Sequence, residues 1–289
     1  MMWIETTEED KELWNWIGFL RDSVNAARII RRRVNNSFFL PTPPSLVAPL
    51  THAHVQKAGI RVASSIRQAE EQWRAAGSSD VTPVSLPIVL FYGAESLASA
   101  LIFATFDSVT ASKTHGLQSR NRHRKVLIQN TATGLFRRFH ECYSRDSRLY
   151  GTTWNLKQLL SVNIDIYAEF SLGYRAKPHI NMEVDHIDHH REVSRLKEYA
   201  KPYRRSGKVR PFHPLDYRFL TLYILSSFAR YEPTEWIVFL NSPEGFTARA
   251  FLAKTYRRFP NLFLNAMWGD EFIFGPGARL AGSPQLPTI

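Results

Sequence analysis

Apolar positions recur at helical spacing through most of the chain. After an acidic opening with Glu5, Glu8, Glu9 and Asp10, the residues Leu13, Trp14, Ile17, Leu20 and Val24 fall on one helical face, and Arg31, Arg32 and Arg33 close the segment. Thr6 or Thr7 stands where an N-cap belongs. Acids first and bases last suit a helix dipole, so the pattern predicts one N-terminal helix. Residues 40–50 hold four prolines and are predicted as a linker or rigid surface crossing. Val55, Ile60, Val62 and Ile66 mark the core face of a second helix over 51–76, ended by the turn at Gly77. Residues 86–106, introduced by Pro83 and Pro87, are apolar almost all round, the pattern of a central buried helix.

Past the middle of the chain the period changes. KVLIQ (125–129) and LFRRF (135–139) are short alternating runs separated by NTATG, with Gly134 closing the turn, which predicts a β-hairpin. Residues 174–213 are polar, contain Pro178, Pro202 and Pro211, and read as a basic excursion, part helix and part loop. From Pro214 the helical pattern returns with Leu215, Phe219, Leu222, Tyr223 and Leu225 facing a core. A further helix over 245–259 is predicted to stop at Pro260, with a short apolar segment 262–268 after it. The fold class is therefore mainly α, with a small β-hairpin insertion. Its expected divisions are an N-terminal helical region (1–80), a helical core (81–272) carrying the basic insertion, and a disordered Gly/Pro-rich tail (273–289).

Composition sharpens this picture. With 289 residues and 44% hydrophobic content the chain can bury a full core. Its formal net charge of +11 favours phosphate polymers and other anionic partners. The single cysteine, Cys142, excludes an internal disulfide and fits a reducing compartment. The acidic N-terminus reverses the charge order of a secretory signal, and the one membrane-length run, 86–106, carries Gly93, Glu95, Ser96 and Ser99. A cytoplasmic protein with no membrane span is expected.

The positive charge is concentrated. From Ser108 to His140 there is no Asp or Glu, while Lys113, Arg120, Arg122, Arg124, Lys125, Arg137 and Arg138 supply seven permanent cations. Guanidinium forks match phosphate oxygens, and Gly116 beside an expected helix end lets backbone N–H groups approach an anion. Arg120, Arg122, His123, Arg124, Lys125, Arg137 and Arg138 are thus the candidate nucleic-acid contacts; the alternative is a solvated loop paired with distant carboxylates. A second basic run supplies Arg204, Arg205, Lys208 and Arg210, with Tyr199, Tyr203 and Phe212 interleaved as stacking surfaces. His115 with Arg120 is the candidate catalytic pair, an imidazole for proton transfer beside a guanidinium for developing charge; otherwise it is a structural histidine. Arg230-Tyr231-Glu232, beside Trp236, reads as a stacked arginine with a buried salt bridge.

Other chemistries have little support. Glu183, Asp185, His186, Asp188, His189 and His190 include pairs four residues apart, but no third distant ligand is identifiable, so neither a metal nor a cofactor is expected. No GxxxxGK[ST], GxGxxG, GxSxG or HExxH motif occurs, which argues against nucleotide and serine hydrolysis.

Four blocks resemble the bacterial YaaC-like family: Pro87-Ile88-Val89-Leu90-Phe91-Tyr92-Gly93; Thr114-His115-Gly116 followed by Arg120; Gly134-Leu135-Phe136; and Arg230-Tyr231 with Pro233 and Trp236. The order of Phe91-Tyr92, small residues, a loop and Thr114-His115-Gly116 also resembles HEPN domains, helical modules of bacterial defence and toxin systems that often bind or cut RNA. That resemblance implies a HEPN-like helical core and RNA or DNA as partner. Active HEPN ribonucleases carry an arginine followed after four to six residues by a histidine, and no such pair is present here. The expected function is nucleic-acid binding within a defence or toxin-like system. The alternatives are a metal-independent ribonuclease using His115 with Arg120 or Arg122, and a non-catalytic subunit docking an acidic protein partner.

Overall fold

The computed structural model describes residues 2–35, 51–106, 114–130, 134–144, 149–178, 203–205, 208–210, 213–270 and 272–275. A short strand, β1 (Met2–Glu5), precedes α1 (Glu9–Gly18). Neither Thr6 nor Thr7 caps that helix; the Thr6 hydroxyl accepts from the Glu8 N–H at 3.0 Å in the turn before it. The single N-terminal helix expected from the pattern is two helices. A 3-10 turn at Phe19–Arg21 ends in an extended Asp22, whose carboxylate accepts from the Val24 and Asn25 N–H groups at 2.8 and 2.9 Å. That cap starts α2 (Ser23–Asn35) in a new direction and leaves Val24, expected in the core, 56% exposed.

The next two helices follow the pattern closely. Thr51 caps α3 (His52–Ala76), which buries Val55, Val62 and Ile66 and leaves Ile60 outside. Then comes α4 (Leu86–Thr105). By length and composition alone it is apolar enough to cross a membrane, and 61% of its apolar window is buried within the fold.

KVLI forms a strand as the alternation predicted, but its hairpin partner precedes it in the chain and is not LFRRF. Strands β2 (Leu117–Arg120) and β3 (Lys125–Ile128) pair antiparallel around the arginine cluster, and β4 (Thr153–Asn155) adds to the far edge of β3. LFRRF is helical, forming α5 (Leu135–Glu141). Leu135, Phe136, Phe139 and His140 are its buried face, a spacing that five residues cannot distinguish from alternation. The arginine cluster is thus a hairpin turn and not a helix end.

Two short helices follow, α6 (Leu156–Ser161) and α7 (Tyr167–Tyr174). Within the basic excursion, β5 (Tyr203–Arg205) pairs antiparallel with β6 (Lys208–Arg210). The chain then forms α8 (Pro214–Tyr231), α9 (Pro233–Leu240), α10 (Pro243–Trp268) and β7 (Phe272–Gly275). Every residue of α8 from Leu215 to Ala229 is buried, so it shares the centre with α4. Strand β7 lies parallel to β1, which places residues 273–275, assigned to the tail, in a strand; residues 276–289 lie outside the described set. One continuous apolar core runs from Leu13 to Phe272 and spans the expected boundary at residue 80.

Pro260 does not stop α10, which continues to Trp268. A proline inside a helix removes the N–H that would bond the carbonyl four residues earlier, here that of Tyr256. The Trp73 indole N–H donates to that carbonyl at 2.6 Å. The same ring stacks on Phe259 at 6.1 Å and presses on α4 at Gly93, where a Cβ would lie 2.5 Å from it. One side chain of α3 therefore repairs α10 and sets how closely α4 approaches. Trp73→Phe removes the donor together with part of the buried indole, so we expect a loss of about 1–3 kcal/mol from the stranded carbonyl, with a cavity cost added to it, in urea unfolding. In a Pro260→Ala background, where the substituted residue supplies the missing N–H, the cost of the same change shrinks.

Candidate functional site

Two glycines bring the site's segments together. The Thr114 and His115 carbonyls accept from the Leu135 and Phe136 N–H groups at 3.0 and 2.9 Å, so residues 114–116 cap the start of α5. At Gly116, φ is +69°, and a Cβ there would sit 2.8 Å from the Gly134 Cα. Only glycine combines that backbone angle with so close a crossing. Two N–H groups of the first turn of α5, those of Leu135 and Phe136, are thereby taken by the chain itself at the helix end expected to receive an anion beside Gly116.

His115 projects from this crossing toward α4. Its ring lies 5.7 Å from Phe91 and 6.1 Å from Tyr223, ring centre to ring centre. Nδ1 is 3.2 Å from the Glu95 carboxylate, at ion-pair distance but out of line for a hydrogen bond. Glu95, the lone acid of the apolar helix, thus faces a histidine at the edge of the core.

The β2–β3 turn carries the basic residues. Asn121, Arg122 and His123 take φ values of +50°, +48° and +59°, three successive left-handed residues without a glycine. Each costs on the order of 1 kcal/mol, least for Asn. The His123 ring holds the tip down: Nδ1 lies 2.7 Å from the Ser119 hydroxyl, and the ring stacks on Tyr231 at 4.9 Å and 25°. Arg230, at the end of α8, donates to the Tyr92 hydroxyl at 2.9 Å and lies over both the Tyr92 and Tyr231 rings, at 5.5 and 5.3 Å. Tyr92 is 41% exposed and Tyr231 61%. Stacking of Arg230 is as expected from sequence, but among the described residues its polar partners are the Tyr92 hydroxyl and the Ser226 carbonyl, and the buried salt bridge is not found.

The predicted cations divide into groups. Arg120 and Arg122 are exposed, and among the described residues Arg120 donates to Gln118 at 3.2 Å. Arg124 lies over Phe228 at 5.0 Å, and Lys125 lines a cleft of about 250 Å³ with Thr153, Asn155 and Gln158. Arg137 is engaged on α5, bonded to Glu141 at 2.8 Å and lying over Tyr150; Arg138 is part-buried on the same helix. Arg204 and Arg205 stand on β5, Lys208 and Arg210 on β6, with Arg205 opposite Lys208 in the register. Residues 183–190, the expected metal-ligand cluster, and Tyr199 and Phe212 lie outside the described residues. Among the described residues no group of three or more potential metal ligands occurs.

A second polar cluster lies in the core at the start of α8. Asp216 accepts from Tyr143 at 2.7 Å, meets His140 Nδ1 at 2.9 Å, and closes a capping box with His213. Burial pushes the Asp216 carboxyl upward, but His140, His213 and the Tyr143 hydroxyl outweigh it and hold the group below the usual carboxylate range. Burial likewise pulls His213 down to about 4, against the pull of Asp216. Asp216 thus joins His140 and Tyr143, at and just beyond the end of α5, to the N-cap His213, which fixes the entry of α8 and pins α5 to it.

A family model described as YaaC-like protein matches residues 48–201 and 181–267. The chain therefore belongs to the YaaC-like protein family, and all four blocks picked out from the sequence lie within the matched residues. No curated protein matches the chain. Nor does any solved structure, so the HEPN likeness remains one of sequence.

His213 supplies a pH test. Its folded pKa lies below the ordinary value near 6.5, so the unfolded chain takes up the proton first. That contribution is complete above about pH 6.5 and is lost as pH falls toward about 4. We expect the urea midpoint to drop across this window and His213→Asn, which keeps an N-cap acceptor, to flatten the drop.

Proposed function

We propose that the protein binds nucleic acid through the β2–β3 hairpin and the aromatic residues beside it, with Arg120 and Arg122 meeting phosphates. One observation carries this reading. Two exposed arginines, in no ion pair among the described residues, stand at the tip of a hairpin stacked through His123 on the exposed ring of Tyr231, which Arg230 links to the exposed Tyr92. Cations beside accessible aromatic rings suit a polyanion that also carries flat bases. The setting, a bacterial defence or toxin-like system, is inferred from the HEPN resemblance alone.

The test is a mobility-shift series with labelled RNA and DNA, single-stranded and duplex, at rising salt. Binding should weaken steeply with salt, and Arg120→Glu with Arg122→Glu should lower the slope of log K against log salt by about 1.4–1.8, two phosphates' worth. No shift at low salt would sink the reading.

The Glu95–His115 contact favours a second reading, a metal-independent ribonuclease. A carboxylate at ion-pair distance from one ring nitrogen leaves the other nitrogen for proton transfer, with Arg120 as the cation for developing charge. On this reading His115→Ala abolishes cleavage of labelled RNA while the mobility shift persists; equal loss of both counts against it.

A further inference from the structure

We infer that the nucleic acid held at this surface is single-stranded, and that one of its bases stacks on Tyr231 in the place His123 occupies. The inference rests on the nucleic-acid reading above and narrows it to a strand type and a residue.

The His123 imidazole already behaves toward Tyr231 as a base would. It is a flat ring lying 4.9 Å from the tyrosine ring at 25°, on a residue that is 61% exposed. Arg230 also lies over that ring and bonds the Tyr92 hydroxyl, so guanidinium and phenol form one continuous platform beneath the hairpin tip. Arg holding a tyrosine in place while leaving it accessible is what base stacking needs.

The hold on His123 is light. It consists of the ring stack and the 2.7 Å contact with Ser119, set against three successive left-handed residues that the tip must maintain. Releasing the tip loses the stack, the Ser119 contact and the 3.1 Å turn bond from the Arg124 N–H to the Asn121 carbonyl, and regains backbone freedom at Asn121, Arg122 and His123. A base arriving at Tyr231 replaces the lost stack, and the freed tip keeps Arg122 close to the strand's phosphates. Bases in a duplex are stacked and paired with one another and present only edges in the grooves. They cannot lie on Tyr231, so discrimination between strand types follows from the geometry.

The full-length protein is titrated with a labelled single-stranded oligonucleotide and with the same oligonucleotide annealed to its full complement, at one salt concentration. Tyr231→Ala should weaken single-strand binding by about 5- to 150-fold, the range of one lost base stack, and move duplex binding far less. Tyr231→Phe, which keeps the ring, should restore it. His123→Ala should strengthen single-strand binding by about 2- to 10-fold, because the competing ring is gone. A ratio of single-strand to duplex affinity unmoved by Tyr231→Ala, or single-strand binding weakened by His123→Ala, overturns the inference and leaves the hairpin reading standing. Absence of binding to either strand form at low salt removes both.

Discussion

The seat of the Trp73 indole is the constraint on which the helical body depends. Its N–H takes the carbonyl that Pro260 strands in α10, and its face meets Gly93 of α4 so closely that no side chain fits between them. Trp14 packs on it from α1, with ring centres 6.0 Å apart. Gly93 stands between Tyr92 and Glu95, so the depth at which α4 lies on α3 decides where the phenol that meets Arg230 and the carboxylate that faces His115 project. The site's geometry on one side of α4 is set by packing on the other, where the contact is buried and the distances are fixed by van der Waals contact.

Long periodic segments were legible from the sequence because their signal accumulates over many residues. In α3 and α8 it gave the core residues Val55, Val62, Ile66, Phe219 and Leu222 correctly. The errors fall where a local signal was short or a remote partner intervened. Asp22 breaks the first helix through two backbone bonds, and nothing in the apolar spacing registers them. The true hairpin was hidden because its turn, Asn121-Arg122-His123-Arg124, contains no glycine and LQSR offers only one large apolar residue. At Pro260 the stop signal was sound chemistry locally; the donor that answers it lies 183 residues from the Tyr256 carbonyl it bonds.

The candidate site was half legible. The basic residues and His115 were evident from charge and from the family blocks, because those features are contiguous in the chain. Their partners were not, since Tyr92 and Arg230 lie 138 residues apart and meet only after α4 and α8 pack at the centre. Two signals could have pointed to them. Glu95 is the one carboxylate of an otherwise apolar helix, and Arg230-Tyr231 ends a helix buried along nearly its whole length. Both are costly in a core unless they face something at its edge.

The parallel pairing of β1 with β7 carries a mechanical consequence. Met2 aligns with Phe272 and Glu5 with Gly275, so the chain enters this ribbon at one end and leaves it at the other. Tension applied through Met2 and Gly275 loads the ladder along its length, and its hydrogen bonds share the force together instead of parting one after another. The ribbon acts as a shear clasp, closing the helical body between two four-residue strands.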